Sequence, residues 1–151
     1  MSLLALFDNR ALVACMIAWG LAQALKLPIE YALTRTWDWS LLLRAGGMPS
    51  SHSALVSAAA HAIGLTEGFD SPIFALAIAI AMVVIYDATG IRRQAGRHAE
   101  IINAMVRDLV EGHPLRQEQL REVLGHSPFE AFVGLVMGIL VAQLTIMLWP
   151  A

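Results

Sequence analysis

The chain has 151 residues, of which 58% are hydrophobic and only 15% are charged, and its formal net charge is -2. Soluble domains usually carry about 25% charged residues, so this composition indicates that much of the surface faces lipid rather than water. A net charge of -2 excludes the strongly basic surface expected for a nucleic-acid partner, and the single cysteine, Cys15, cannot form an internal disulfide. The length fits one domain, and we expect residues 1–151 to form a single membrane-embedded unit.

Two helices are predicted in the first half of the chain. The first covers about residues 11–27, because this stretch is apolar and Pro28 lacks a backbone donor. The second covers about residues 50–64 and is rich in Ala and Ser, which is typical of a membrane helix packed among others. Its short length leaves open whether it spans the membrane or is re-entrant.

Two further membrane helices are predicted in the second half. The third covers residues 71–90, with Ser71 as N-cap and Pro72 in the first turn. The fourth covers residues 127–149 and has the length of a full membrane span. Gly134 and Gly138 form a G-x-x-x-G pattern on it, which permits close helix contact within the chain or between chains of a homo-oligomer.

A polar segment of different character separates the third and fourth helices. Its apolar residues recur at helical spacing and predict an amphipathic helix, closed by Gly112 and Pro114. Such a helix can lie on the membrane surface or cap the bundle, and we favour capping. The apolar residues are Ile101, Ile102, Met105, Val106, Leu109 and Val110. The expected fold is therefore all-α, a small polytopic bundle of about four membrane helices plus one amphipathic helix.

Two histidines stand at predicted helix starts. His52 opens the second helix beside Ser50 and Ser51, and His126 opens the fourth. Free backbone N–H groups and the positive dipole end make helix starts suitable for binding phosphate. Histidine can act there as nucleophile or as general acid and base, although one such histidine alone is more often structural. The two serines can equally be plain N-caps.

The position of Glu130 in the sequence is compatible with two roles. It lies four residues after His126, so its carboxylate can orient the imidazole from one helical turn away. It also completes the pattern Ser127-x-x-Glu130, which is a capping box. Both readings stay open at this stage.

Several cations are placed to bind phosphate oxygens. Lys26 closes the predicted first helix, Arg44 precedes a Gly-Gly loop, and Arg92 and Arg93 follow the third helix. Each alone can simply extend its charged end to the membrane surface. Asp87, at the end of an apolar run, is either a supporting group or an ion-pair partner of Arg92 or Arg93. No compact cluster of His, Asp and Glu has metal-ligand spacing, so we expect neither metal nor cofactor.

Two of these motifs carry a family resemblance. The stretch Pro49-Ser50-Ser51-His52 resembles the P-S-x-H motif of the type 2 phosphatidic acid phosphatase superfamily. His126 and Glu130, followed by Gly134, resemble its H-x-x-x-D element and the glycine beyond. Residues 46–54 and 86–93 are similar to signatures of the divergent branch of that superfamily, and this likeness extends over nearly the whole chain.

The resemblance implies metal-independent hydrolysis of a phosphomonoester or diphosphate lipid. His126 would form a phosphohistidine, Glu130 would hold its tautomer, and His52 would protonate the leaving group and then activate water. Lys26, Arg44, Arg92 and Arg93 would hold the phosphate oxygens, helped by N–H groups near Ser50 and Ser51.

The chain departs from the superfamily at three positions. Lys26 is followed by Arg35 without the Arg-Pro of the first motif, and Leu120 stands where an arginine is expected, with Arg121 adjacent. Glu130 replaces an aspartate. Because of these departures, a non-catalytic binder or transporter of a phosphorylated lipid is the alternative prediction.

The distribution of cations predicts the orientation in a bacterial cytoplasmic membrane. With four spans, nine of the ten Lys and Arg residues lie on the face of the two histidines, and only Arg10 lies on the other. Loops rich in Lys and Arg stay cytoplasmic, so we expect the site to face the cytoplasm.

Overall fold

The computed structural model describes residues 5–42, 46–110 and 126–149, and of residues 91–93, 97, 108 and 110 it describes the backbone alone. Helices and a short 3-10 turn make up the regular structure of these residues, which confirms the predicted all-α class. The helices are α1 (Ala5–Asp8), α2 (Arg10–Thr34), α3 (Ser51–Glu67), α4 (Pro72–Thr89), α5 (Ile91–Val110) and α6 (Pro128–Leu148), and the 3-10 turn is Trp39–Leu42.

Helix α3 lies at the centre of the bundle. It packs against α2, α4 and α6, and about half of its residues are buried, including Ala54, Ala58 and Ala62. Small side chains let the neighbouring backbones approach closely, which explains why an Ala- and Ser-rich helix occupies this position. The prediction that this helix packs among others is confirmed.

Three apolar segments surround α3 and are long enough to cross a membrane: Arg10–Thr34, Pro72–Arg107 and Pro128–Leu148. The second of these joins α4 to most of α5. With α3 inside them, they agree with a small membrane bundle of helices. The caps predicted for α4 and α6 are present, since the Ser71 and Ser127 side chains accept from the backbone N–H groups of Phe74 and Glu130.

The predicted end of the first helix was wrong. Helix α2 continues through Pro28 to Thr34, and its C-cap, Arg35, has a φ of 60° and donates its backbone N–H to the Tyr31 carbonyl. A proline removes only one hydrogen bond, and packing in a membrane bundle tolerates that loss. As a consequence, Lys26 lies within α2 instead of closing it, with eight further helical residues beyond it.

Helix α5 follows α4 after the single residue Gly90. Among the described helices it contacts α4 alone, so the capping of the bundle that the sequence favoured is not seen in this part of the chain. Ile101, Met105 and Leu109 are exposed on it. The predicted closing residues Gly112 and Pro114 lie outside the described residues.

Gly134 and Gly138 are buried in the contact between α6 and α3. A Cβ at Gly134 would overlap the Ser50 carbonyl oxygen, and one at Gly138 would overlap the Ala54 carbonyl oxygen. The G-x-x-x-G pattern therefore serves contact within the chain, and a homo-oligomer would need another surface.

Candidate active site

The first turns of α3 and α6 lie side by side at one end of the bundle. The Ser50 N–H donates to the Glu130 carbonyl at 3.1 Å, and Ser50 also caps α3 by accepting from the Ser53 N–H at 3.3 Å. The His126 N–H donates to the Ala88 carbonyl of α4 at 3.1 Å. Three helices thus fix the backbone on which both histidines stand.

These contacts bring the two predicted histidines together. The ring centroids of His52 and His126 are 6.0 Å apart, with 60° between the ring planes. His126 is only 2% exposed, and its Nδ1 lies 3.2 Å from Glu130 Oε2. Among the described residues, its other ring nitrogen, Nε2, has no hydrogen-bond partner. A buried imidazole held through Nδ1 leaves Nε2 as the nitrogen available to a substrate.

Glu130 makes both of the contacts that its spacing predicted, and it makes them with one oxygen. Its Oε2 lies beside His126 Nδ1 and also accepts from the Ser127 N–H at 3.1 Å, while Ser127 Oγ accepts from the Glu130 N–H at 3.2 Å. The capping box is therefore complete, and it directs the carboxylate toward the imidazole. The two readings of Glu130 coexist in one geometry.

Lys26 places a buried positive charge beside the same site. Its side chain is 2% exposed, and its Nζ donates to Ser51 Oγ at 3.5 Å. The backbone at Gly47, with a φ of 78°, passes close to the aliphatic part of Lys26: a Cβ there would lie 3.9 Å from Lys26 Cδ. A buried ammonium needs a negative partner, and the nearby charge of Glu130 supplies one. A bound phosphate would supply another.

The chain matches a family described as the Divergent PAP2 family over residues 7–141. The chain belongs to the Divergent PAP2 family. It is also 40% identical over 146 residues to the uncharacterized membrane protein YuiD of Bacillus subtilis (strain 168), across 89% of this chain and 92% of that protein. No solved structure matches.

Membership confirms the resemblance that the histidine motifs carried. The relative's description as a membrane protein and the three apolar helices together identify a multi-pass membrane protein. Neither the family description nor the name of the relative states an activity for this Divergent PAP2 protein.

The other predicted site residues divide into three groups. Arg44 lies outside the described residues, as do Leu120 and Arg121. The backbones of Arg92 and Arg93 lie in the first turn of α5, and their contacts with phosphate stay a prediction. Asp87 is half-buried near the end of α4, next to the residue that holds the His126 backbone, and its supporting role also stays a prediction.

Two elements of the site were missed from the sequence. Ala88 anchors His126 through its carbonyl, and Gly47 allows the loop before α3 to pass over Lys26. Both lie in the stretches that are similar to the divergent branch, and this was the only signal for them. Within the described ranges, no three His, Cys, Asp or Glu residues form a group able to hold a metal ion.

Proposed function

We propose that this Divergent PAP2 protein is a metal-independent phosphatase of a phosphorylated lipid, either a phosphomonoester or a diphosphate. One observation carries the proposal: a buried histidine whose Nδ1 is held by a carboxylate presents its free Nε2 near a second histidine, 6.0 Å away between ring centroids. Nucleophile, orienting carboxylate and second acid-base group are the parts that phosphoryl transfer through a histidine requires.

In the first half-reaction, His126 Nε2 attacks phosphorus and a P–N bond forms. The bond between phosphorus and the leaving oxygen breaks, and a protonated His52 gives its proton to that oxygen. Glu130 stabilises the positive charge that develops on the His126 ring, as the carboxylate of a catalytic triad does. The products are the dephosphorylated lipid and a phosphohistidine.

In the second half-reaction, the now neutral His52 takes a proton from water. The resulting hydroxide attacks phosphorus, the P–N bond breaks, and inorganic phosphate leaves with His126 restored. Each histidine returns to its starting protonation state, so no metal, oxidant or cofactor is needed.

Phosphate binding in this scheme rests on Lys26 and the start of α3. The buried Lys26 ammonium lies next to Ser51, where the first N–H groups of α3 point out of the helix. Arg44, Arg92 and Arg93 are proposed to complete the cationic set around the phosphate oxygens. These groups act mainly on charge that develops in the transition state.

A lipid substrate and a cytoplasmic orientation complete the proposal. The site lies where α3 and α6 begin, at an end of the membrane helices, so a lipid can keep its tail in the bilayer while its phosphate reaches the histidines. Nine of the ten Lys and Arg residues fall on this side of the predicted topology, which favours the cytoplasmic face of a bacterial membrane.

The alternative is a protein that binds or carries the same lipid without cleaving it. Leu120 in place of an expected arginine favours this candidate, because it removes one cation from the family pattern. Both functions would use the same site, and release of phosphate distinguishes the phosphatase from the binder or carrier.

The deciding experiment is phosphate release by the purified protein from a panel of glycerolipid and polyprenyl phosphates and diphosphates. His126→Ala should abolish release, and His98→Ala, which changes an exposed histidine on α5, should leave it unchanged. Trapping an acid-labile phosphoprotein in the unmodified chain, but not in His126→Ala, would identify the intermediate. Binding of a lipid phosphate without release from any substrate would establish the alternative.

A further inference from the structure

A groove opens on α3 at the end of the bundle opposite the candidate active site. Helices α2 and α4 both pack on α3, but within the described residues they do not contact each other. The gap between them holds a cavity of about 640 Å³, whose floor is formed by Ala59, Ile63 and Thr66 near the end of α3. Ligand sites commonly have volumes of about 300–1,000 Å³.

The lining of this groove is amphipathic. Leu12 and Ile73 are apolar and lie in the first turns of α2 and α4, which belong to segments long enough to cross a membrane, while Ala59 and Ile63 lie further from this end along α3. The rim carries charge: Asp8 is the last residue of α1, Arg10 is the first residue of α2, and Glu67 is the last residue of α3. An apolar floor below a charged rim matches the layout of a phospholipid, with its tail inside and its headgroup at the membrane surface.

The charges of the rim select among headgroups. Among the residues that the structure describes, two carboxylates, of Asp8 and Glu67, line the rim beside one guanidinium, and that guanidinium, of Arg10, donates to the Trp149 carbonyl at 3.3 Å through one nitrogen. A rim with excess negative charge repels a purely anionic headgroup and attracts an ammonium. A primary ammonium also donates hydrogen bonds to carboxylates, which a quaternary ammonium cannot do.

We propose that this groove binds a zwitterionic phospholipid whose headgroup ends in a primary ammonium, taken from the leaflet opposite the candidate active site. The ammonium binds at Asp8 and Glu67, the lipid phosphate faces Arg10, and an acyl chain lies against Ala59 and Ile63. This second lipid site does not depend on the proposed phosphatase activity.

The tail of a substrate bound at the histidines is a poorer occupant. Such a tail would run the length of α3 and place its apolar end among the three charges of the rim, where it would displace water from those charges without replacing its hydrogen bonds. A headgroup at that position satisfies them instead.

The test measures lipid binding to the purified full-length protein by native mass spectrometry, with phosphatidylethanolamine, phosphatidylcholine and phosphatidylglycerol of identical acyl chains. We expect phosphatidylethanolamine to bind roughly tenfold more tightly than either other lipid, as a charge-assisted contact would give. The double variant Asp8→Asn, Glu67→Gln should lose that preference. Both side chains are exposed, so the fold should be retained.

A second pair of variants tests the groove itself. Ile63→Trp should fill the floor and remove tight binding of all three lipids, while Ile80→Trp, on the exposed face of α4, should leave binding unchanged. Equal affinity for the three lipids, or a preference for phosphatidylethanolamine that survives in the double variant, would overturn the proposal. Phosphate release measured on the same samples reports separately on the active site.

Discussion

Substituting Gly134 by alanine should damage the candidate active site through helix spacing alone. Gly134 lies in α6 one turn after Glu130, directly against the N-cap of α3. An added Cβ would overlap the Ser50 carbonyl oxygen and lie 3.1 Å from Ser53 Cβ. Because the main obstacle is backbone, which cannot rotate away, α3 and α6 must separate on the order of 1 Å to restore normal contact distances.

The separation has consequences for both stability and rate. It stretches the hydrogen bond from the Ser50 N–H to the Glu130 carbonyl, now 3.1 Å, and moves His52 away from His126. Overpacking of this kind usually costs about 1–3 kcal/mol of stability. A misplacement of about 1 Å between reacting groups can lower a rate on the order of 10²-fold. We therefore expect Gly134→Ala to retain its fold but to lose most phosphate release.

Two matched variants make this experiment specific. Gly20→Ala in α2 has nothing within 4 Å of the added Cβ, so we expect normal phosphate release and a gain of about 1 kcal/mol from helix propensity. Gly138→Ala overlaps Ser57 and Ala54, one turn further from the histidines, and should lose similar stability but less activity. Initial rates and thermal unfolding in one detergent compare all four proteins. Normal rates and stability in Gly134→Ala would refute the reasoning that this contact spaces the histidines.

The other predictions concern the chemistry and the orientation of the site. His52→Ala should still form some phosphoenzyme from a substrate with a good leaving group, because the nucleophile is intact and the leaving group needs no proton; His126→Ala should form none. Glu130→Gln preserves the capping box but not the negative charge, so phosphate release should fall by orders of magnitude while the unfolding temperature stays near normal. Chelators should leave the rate unchanged, as measured with and without added magnesium. In a Cys15→Ser background, cysteine introduced by Gln94→Cys should be protected from a membrane-impermeant thiol reagent in intact cells.

Each of these predictions has an outcome that contradicts it. Full activity in His126→Ala would remove the proposed nucleophile, and a near-normal rate in Glu130→Gln would leave that residue with capping alone. A rate lost on chelation and restored by magnesium would reveal a metal requirement. Labelling of the Gln94→Cys protein in intact cells, as fast as in lysed cells, would place the site outside the cytoplasm.

Local signals explain which parts of the fold could be predicted. Ser71 and Ser127 each stand directly before a proline and an apolar run, and both prove to be N-caps because capping depends on only a few adjacent residues. Pro28 carried an equally local signal, but packing around α2 overrides it. The G-x-x-x-G spacing identified a contact face on α6 without identifying its partner, since spacing contains no information about which helix lies opposite.

The candidate site also has parts that could be predicted from the sequence and parts that could not. The histidines were recognisable because each stands at a helix start in a familiar motif, and the structure brings their rings to 6.0 Å. The burial of Lys26 was not predictable, because it follows from the unexpected length of α2 and from the loop that crosses it at Gly47. The hydrogen bond from the His126 N–H to the Ala88 carbonyl was not predictable either. It joins two backbone groups 38 positions apart, and no side-chain pattern indicates it.

The geometry of Glu130 links the stability of the fold to the proposed chemistry. One carboxylate oxygen caps the first turn of α6 and also holds His126, so the helix start and the orientation of the imidazole depend on the same atom. The Glu130 carbonyl, on the same residue, accepts from Ser50 and ties the start of α3 to it. A change at this turn therefore affects the placement of both histidines.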